Sequence, residues 1–173
     1  MWLALDDAEP VAPADVVLDP GHGGDELGAL GRAGLEEKAV NLEVARLAAE
    51  KLRASGVRTE LTRGSDFRAT LAFRVALARA LAPRLLVSIH HNAEPDGPLD
   101  RPGSETYYQH GSGDSKRLAG LVYEEMVRAL RAFEAGWVGD HDAGAKYRLN
   151  GAGADYYGIL RHAAAARIPA TLA

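Results

Sequence analysis

Apolar and polar positions along the chain alternate in a way that predicts strands and helices in turn. Val16-Val17-Leu18 is a short apolar run that stops at Asp19-Pro20-Gly21-His22-Gly23-Gly24, whose proline and glycines suit a tight turn with exposed backbone. From Glu36 to about Ala54, Leu42, Ala45, Ala49 and Leu52 recur at helical spacing, and Ser55-Gly56 supplies the stop. Val57 to Thr62 alternates like a half-buried strand. Arg68 to Ala82 repeats the helical pattern through Leu71, Val75 and Ala78 and through Phe73, Leu77 and Leu81, and Pro83 ends it. Leu85-Leu86-Val87-Ser88-Ile89-His90 is almost continuously apolar, the mark of a strand covered on both faces, and it predicts the sheet centre.

Beyond it, the proline-rich stretch from Glu94 to Gly103 predicts a loop, and Ser104 to Gln109 a strand. Ser115 to Phe133 is amphipathic through Leu118, Leu121, Val122, Met126 and Leu130. Glycine-rich Gly136 to Gly153 predicts a mobile surface segment. A last helix from about Asp155 to Arg167 leads through Pro169 into a strand at Ala170-Thr171-Leu172. This order predicts an α/β fold, a three-layer sandwich with a mostly parallel central sheet flanked by helices. Residues 1–14, rich in Ala, Pro and Asp, are expected to be a linker, and 15–173 one domain; there is no internal repeat.

Composition narrows the chemistry. A chain of 173 residues with 47% hydrophobic and 25% charged positions is that of one ordinary globular domain. Without cysteine it has no disulfides, no thiolate nucleophile and no cysteine-ligated zinc, so any metal must use His, Asp or Glu. The 20 Lys and Arg are interspersed with 24 Asp and Glu and form no basic stripe, so no nucleic-acid partner is expected. No apolar run approaches the ~20 residues of a transmembrane segment, and the first residues lack the basic start of an export signal.

In open α/β sheets, ligands collect beyond the carboxyl ends of the strands, where His22 and His90 both fall. A catalytic zinc site uses three protein ligands and an open position, often two imidazoles and a carboxylate. Glu36 and Glu37 open the first predicted helix on the far side of the His22 loop, and Glu37 is the candidate third ligand. Taken singly, each residue has a plainer explanation. A histidine after a strand commonly serves a turn, and acids in a first helical turn complement the helix dipole. Strand alternation alone does not choose between His90 and His91. The glycine turn matches neither common nucleotide-binding pattern.

The surrounding text adds a specific signal. Val17-Leu18-Asp19-Pro20-Gly21-His22-Gly23-Gly24, Glu37-Lys38-Ala39-Val40-Asn41-Leu42, Thr62-Arg63 with Asp66, and Val87-Ser88-Ile89-His90-His91-Asn92-Ala93 resemble, in order, the motifs of the zinc-dependent N-acetylmuramoyl-L-alanine amidases. Gly103 to Tyr108 and Ile168 to Leu172 extend the similarity over residues 15–173. The resemblance implies a fold like that of the zinc peptidases and amidases, with Zn2+ held by His22, Glu37 and His90. It also implies hydrolysis of the amide between N-acetylmuramic acid and L-alanine in peptidoglycan, in the periplasm or outside the cell. A wall-binding or activating domain outside this chain would fit that role. Asn92 and Glu105 are expected to contact substrate or to orient a ligand; Arg63, Asp66 and Arg74 are expected to be structural, with Arg63 and Asp66 paired. His110, His141 and His162 are expected on solvated surfaces, and Ala135 to Gly153 is expected to frame the substrate groove.

Family members carry a general-base glutamate in a block like Pro-Ala-x-Leu-x-Glu. Here Pro169-Ala170-Thr171-Leu172-Ala173 brings the sequence to one position before it, so the catalytic glutamate is expected just after Ala173 in a longer native chain. Without that residue, the expectation is a weakly active domain or a silent wall-binding module. A carboxypeptidase-like peptidase shares the same ligand chemistry.

Overall fold

A computed structural model describes residues 12–92, 103–133 and 144–173. Six strands form one mixed sheet: β1 (Val16–Pro20), β2 (Thr59–Leu61), β3 (Leu85–Ile89), β4 (Glu105–Tyr108), β5 (Gly144–Lys146) and β6 (Ala170–Leu172), in spatial order β2-β1-β3-β6-β4-β5. Every neighbouring pair is parallel except β4 with β6. Helices α1 (Glu37–Ala54), α2 (Leu71–Leu81), α3 (Gly113–Arg131) and α4 (Gly158–Ala165) connect them.

The central position of β3 follows from its side chains. Leu86 packs among Val75, Ala78, Leu81, Leu160 and Ala163 of α2 and α4, whereas Val87 and Ile89 meet Ala45 and Ala49 of α1 on the opposite face. The alanines of α1 let that helix lie close to the sheet. On the same face α3 is tied down by Thr106 Oγ1 donating to Ala119 O, and by Ser115 Oγ donating to Ala170 O. Both faces of the sheet are thereby covered, as parallel sheets require.

Several boundaries and faces differ from the sequence reading. β1 runs on through Asp19 and Pro20, because the proline needs no ladder N–H at the end of a strand. α2 begins at Leu71, three residues late, because Thr70 caps it by accepting the Phe73 N–H on its side chain. Leu121 and Phe73, expected on buried stripes, are 53% and 45% exposed. The buried stripes pass instead through Ser115, Ala119 and Val127 in α3 and through Arg74, Val75 and Ala78 in α2. Gly144–Lys146, expected in a mobile segment, is the edge strand β5. At the N-terminal boundary Ala14 is buried, its N–H on Leu81 O. The expected loop at 94–102 and the segment 135–143 lie outside the described residues, as does most of the expected linker.

Candidate metal centre

β1 and β3 end side by side, so the residues just past them share one rim of the sheet. There His22, Glu37 and His90 converge, with one potential ligand atom from each all within 4.8 Å of one another. His22 Nε2 lies 3.2 Å from Glu37 Oε2, and His90 Nδ1 lies 3.1 Å from Glu37 Oε1. A tetrahedral ion with bonds of ~2.0–2.1 Å separates its donors by about 3.3 Å, so these spacings fit a small divalent metal. His91 donates from Nδ1 to Asn41 Oδ1 at 2.8 Å, and its ring stands outside the cluster. His110 and His162 are exposed and outside the cluster; His141 lies outside the described residues.

Glu37 is 7% exposed, and its carboxylate is surrounded by donors. The N–H groups of Ala29 and His91 reach it at 2.8 and 2.9 Å, and Asn41 Nδ2 at 3.3 Å. Burial opposes its charge, but hydrogen bonds from His22, His90 and these backbone groups outweigh burial and hold the carboxyl well below the ordinary range. The hydrogen bond to Glu37 raises the His22 pKa against the effect of burial. Asn41, one helical turn after Glu37 and fully buried, also donates to Gly21 O, so a single amide steadies the carboxylate, His91 and the His22 loop.

The loop carrying His22 is held by two buried arginines. Arg63 donates to the carbonyls of Pro20, Gly21 and Lys38; Arg74 donates to those of Ala69, Pro20 and His22 and to Asp19 Oδ1. This grip stabilises His22 at φ 61, a left-handed conformation that costs a non-glycine residue about 1–3 kcal/mol. Arg63 does not pair with Asp66 as expected. Its guanidinium is taken up by carbonyls, and Asp66 accepts from Lys38 Nζ at 2.9 Å and from the Gly24 N–H.

Two glycines leave room for the ligands. A Cβ on Gly21 would sit 2.2 Å from the His90 ring. Gly28 has φ +73, and a Cβ there would lie 2.5 Å from Glu37 Oε2 and 2.7 Å from His22 Cδ2. Gly28→Ala should therefore displace two ligands at once and weaken metal binding by at least 10-fold while the domain stays folded. Chelator competition and circular dichroism measure the two effects, and unchanged affinity would refute the steric argument.

The cluster lines a cleft of about 630 Å³ together with Glu26, Thr70, Leu71, Asn92 and Tyr157. That volume is in the range of small-molecule sites. Asn92 donates to Glu105 Oε1 at 2.6 Å, and Tyr107 donates to the same oxygen at 2.9 Å; Lys146 pairs with the other. Burial opposes the Glu105 charge, but these three partners lower its pKa overall. Glu105 thus lies one residue behind the cleft wall and reaches it through Asn92.

A buried carboxylate between two imidazoles at the carboxyl rim of an α/β sheet is a donor set that could hold a metal ion. The family model for N-acetylmuramoyl-L-alanine amidase matches residues 16–170, and the chain belongs to that family. It is 38% identical over 129 residues to the N-acetylmuramoyl-L-alanine amidase LytC of Bacillus subtilis, covering 73% of this chain and 25% of LytC. It is also 38% identical over 131 residues to the B. subtilis protein YqiI, covering 75% of this chain and 62% of that one. The chain therefore spans less than two thirds of these relatives. An N-acetylmuramoyl-L-alanine amidase structure from Clostridium difficile 630 superposes with a TM-score of 0.75 at 30% identity, covering 92% of this chain and 77% of that one.

Proposed function

We propose that this domain is a zinc-dependent hydrolase of the amide between N-acetylmuramic acid and L-alanine in peptidoglycan, acting at the cell wall. The observation that carries the reading is the convergence of His22, Glu37 and His90 in an open cleft of a chain from this family. Bound zinc would polarise the scissile carbonyl and lower the pKa of a water, the two needs of a poor electrophile.

The protein's own residues do the rest. Glu37 supplies the negative charge of the ligand set, and Asn41 with the Ala29 and His91 N–H groups fixes its rotamer. Asn92, held by Glu105, and Tyr157 face substrate from the other wall. β6 ends beside His90, whose N–H bonds Ala173 O at 2.8 Å.

Purified sacculi test the reading. Free stem peptide with an L-alanine amino terminus should be released, lost on chelation and restored by zinc. Binding to sacculi without release would mark a silent wall-binding module, and fragments cut within the stem would mark a peptidase.

A further inference from the structure

One carboxylate in the cleft has no part in the chemistry above. Glu26 Oε1 lies 3.0 Å from His22 Nδ1, on the opposite edge of the ring from the Nε2 that faces Glu37 at 3.2 Å. The contact is built into the loop. Gly23 N–H donates to Glu26 O at 2.9 Å and Glu26 N–H to Gly23 O at 3.1 Å, closing a four-residue ring that returns the Glu26 side chain to His22. The Gly24 N–H on Asp66 and the Arg68–Asp25 pair anchor that ring from outside.

An imidazole that ligates through Nε2 in its neutral form must carry its proton on Nδ1, and a hydrogen-bond acceptor there selects that tautomer and fixes the ring plane. We propose that Glu26 is a positioning residue that presents His22 Nε2 to the metal. The inference rests on the zinc reading above and adds a residue to it. Carboxylates behind a ligating histidine are worth ~10–100-fold in metal affinity. Glu26 is 50% exposed, so water competes for it and the lower end applies.

The test is zinc affinity of the full chain, measured by competition with a chromophoric chelator, for wild type, Glu26→Ala and Glu26→Gln. Glu26→Ala should bind about 10-fold more weakly. Glu26→Gln, which keeps an acceptor oxygen, should recover most of the loss. Proton NMR of the zinc-loaded protein should show a hydrogen-bonded His22 Nδ1–H in wild type that is lost to exchange with water in Glu26→Ala. Persistence of that signal in Glu26→Ala would place the Nδ1 proton on another acceptor and overturn the inference.

Equal zinc affinity in all three proteins overturns the inference and leaves the metal site standing. Wild type that binds no zinc overturns both. Full zinc affinity with lost turnover in Glu26→Ala would place Glu26 on the substrate and also overturn it.

Discussion

Glu37→Gln should abolish zinc binding and reduce amide hydrolysis to background, the largest functional loss expected from any single substitution in this domain. The amide keeps the shape but removes the charge, and whichever way it turns its NH2 opposes one of the Ala29 and His91 N–H groups that now donate to separate carboxylate oxygens. Loss of a ligand should exceed the ~10–100-fold that attends loss of a group behind one. Retained zinc at stoichiometry, by elemental analysis after dialysis, would remove Glu37 from the site. Proton competition gives a companion signature. Because the metal-free protein holds His22 protonated to a higher pH than a free imidazole, zinc affinity should fall as pH drops through that raised pKa, not only below the ordinary 6.5.

Arg74→Met should cost about 3–5 kcal/mol of stability, the largest structural loss expected here. Methionine fills the volume, but Asp19, 1% exposed, would lose its only cationic partner among the described residues and keep just the Thr62 and Ser88 hydroxyls. The His22 carbonyl would lose its arginine donor as well, and the Pro20 carbonyl would keep only that of Arg63. Urea denaturation of the metal-free protein reads this directly. A loss under about 1 kcal/mol would show that the network is not what keeps the β1 rim in place.

Much of this architecture was legible in the sequence because period and burial agree. The run Leu85–Ile89 is apolar because both faces of β3 are covered, and Leu42, Ala45 and Ala49 recur because one face of α1 lies on the sheet. The two histidines of the cluster were legible as residue types at strand ends and Glu37 as the acid that opens α1, and the motif text chose His90 over its neighbour. β5 was not legible, since Gly144-Ala145-Lys146 has neither alternation nor β-branched residues and is a strand only through pairing with β4. The partner of Asp66 was missed for a related reason. Lys38 reaches it from α1 across a distance in sequence that no periodicity reports, while the nearer Arg63 is claimed by four carbonyls. Glu26 was hidden by its ordinariness, an exposed acid in a turn. Its spacing from Gly23, which closes the small ring, was the one available sign.

The sheet order carries a kinetic consequence. β6 follows every other strand in the sequence yet lies between β3 and β4, and it bonds to both. Until it inserts, β2-β1-β3 and β4-β5 are separate ribbons with open edges. Closing the sheet must wait for pairing partners more than 80 residues apart, as for Leu86 and Ala170, and such non-local closure is slow. On the ribosome, this domain should remain protease-sensitive and unable to assemble its cleft until β6 has emerged. Insertion of β6 would then be the step that brings Leu172 to the cleft and completes its wall.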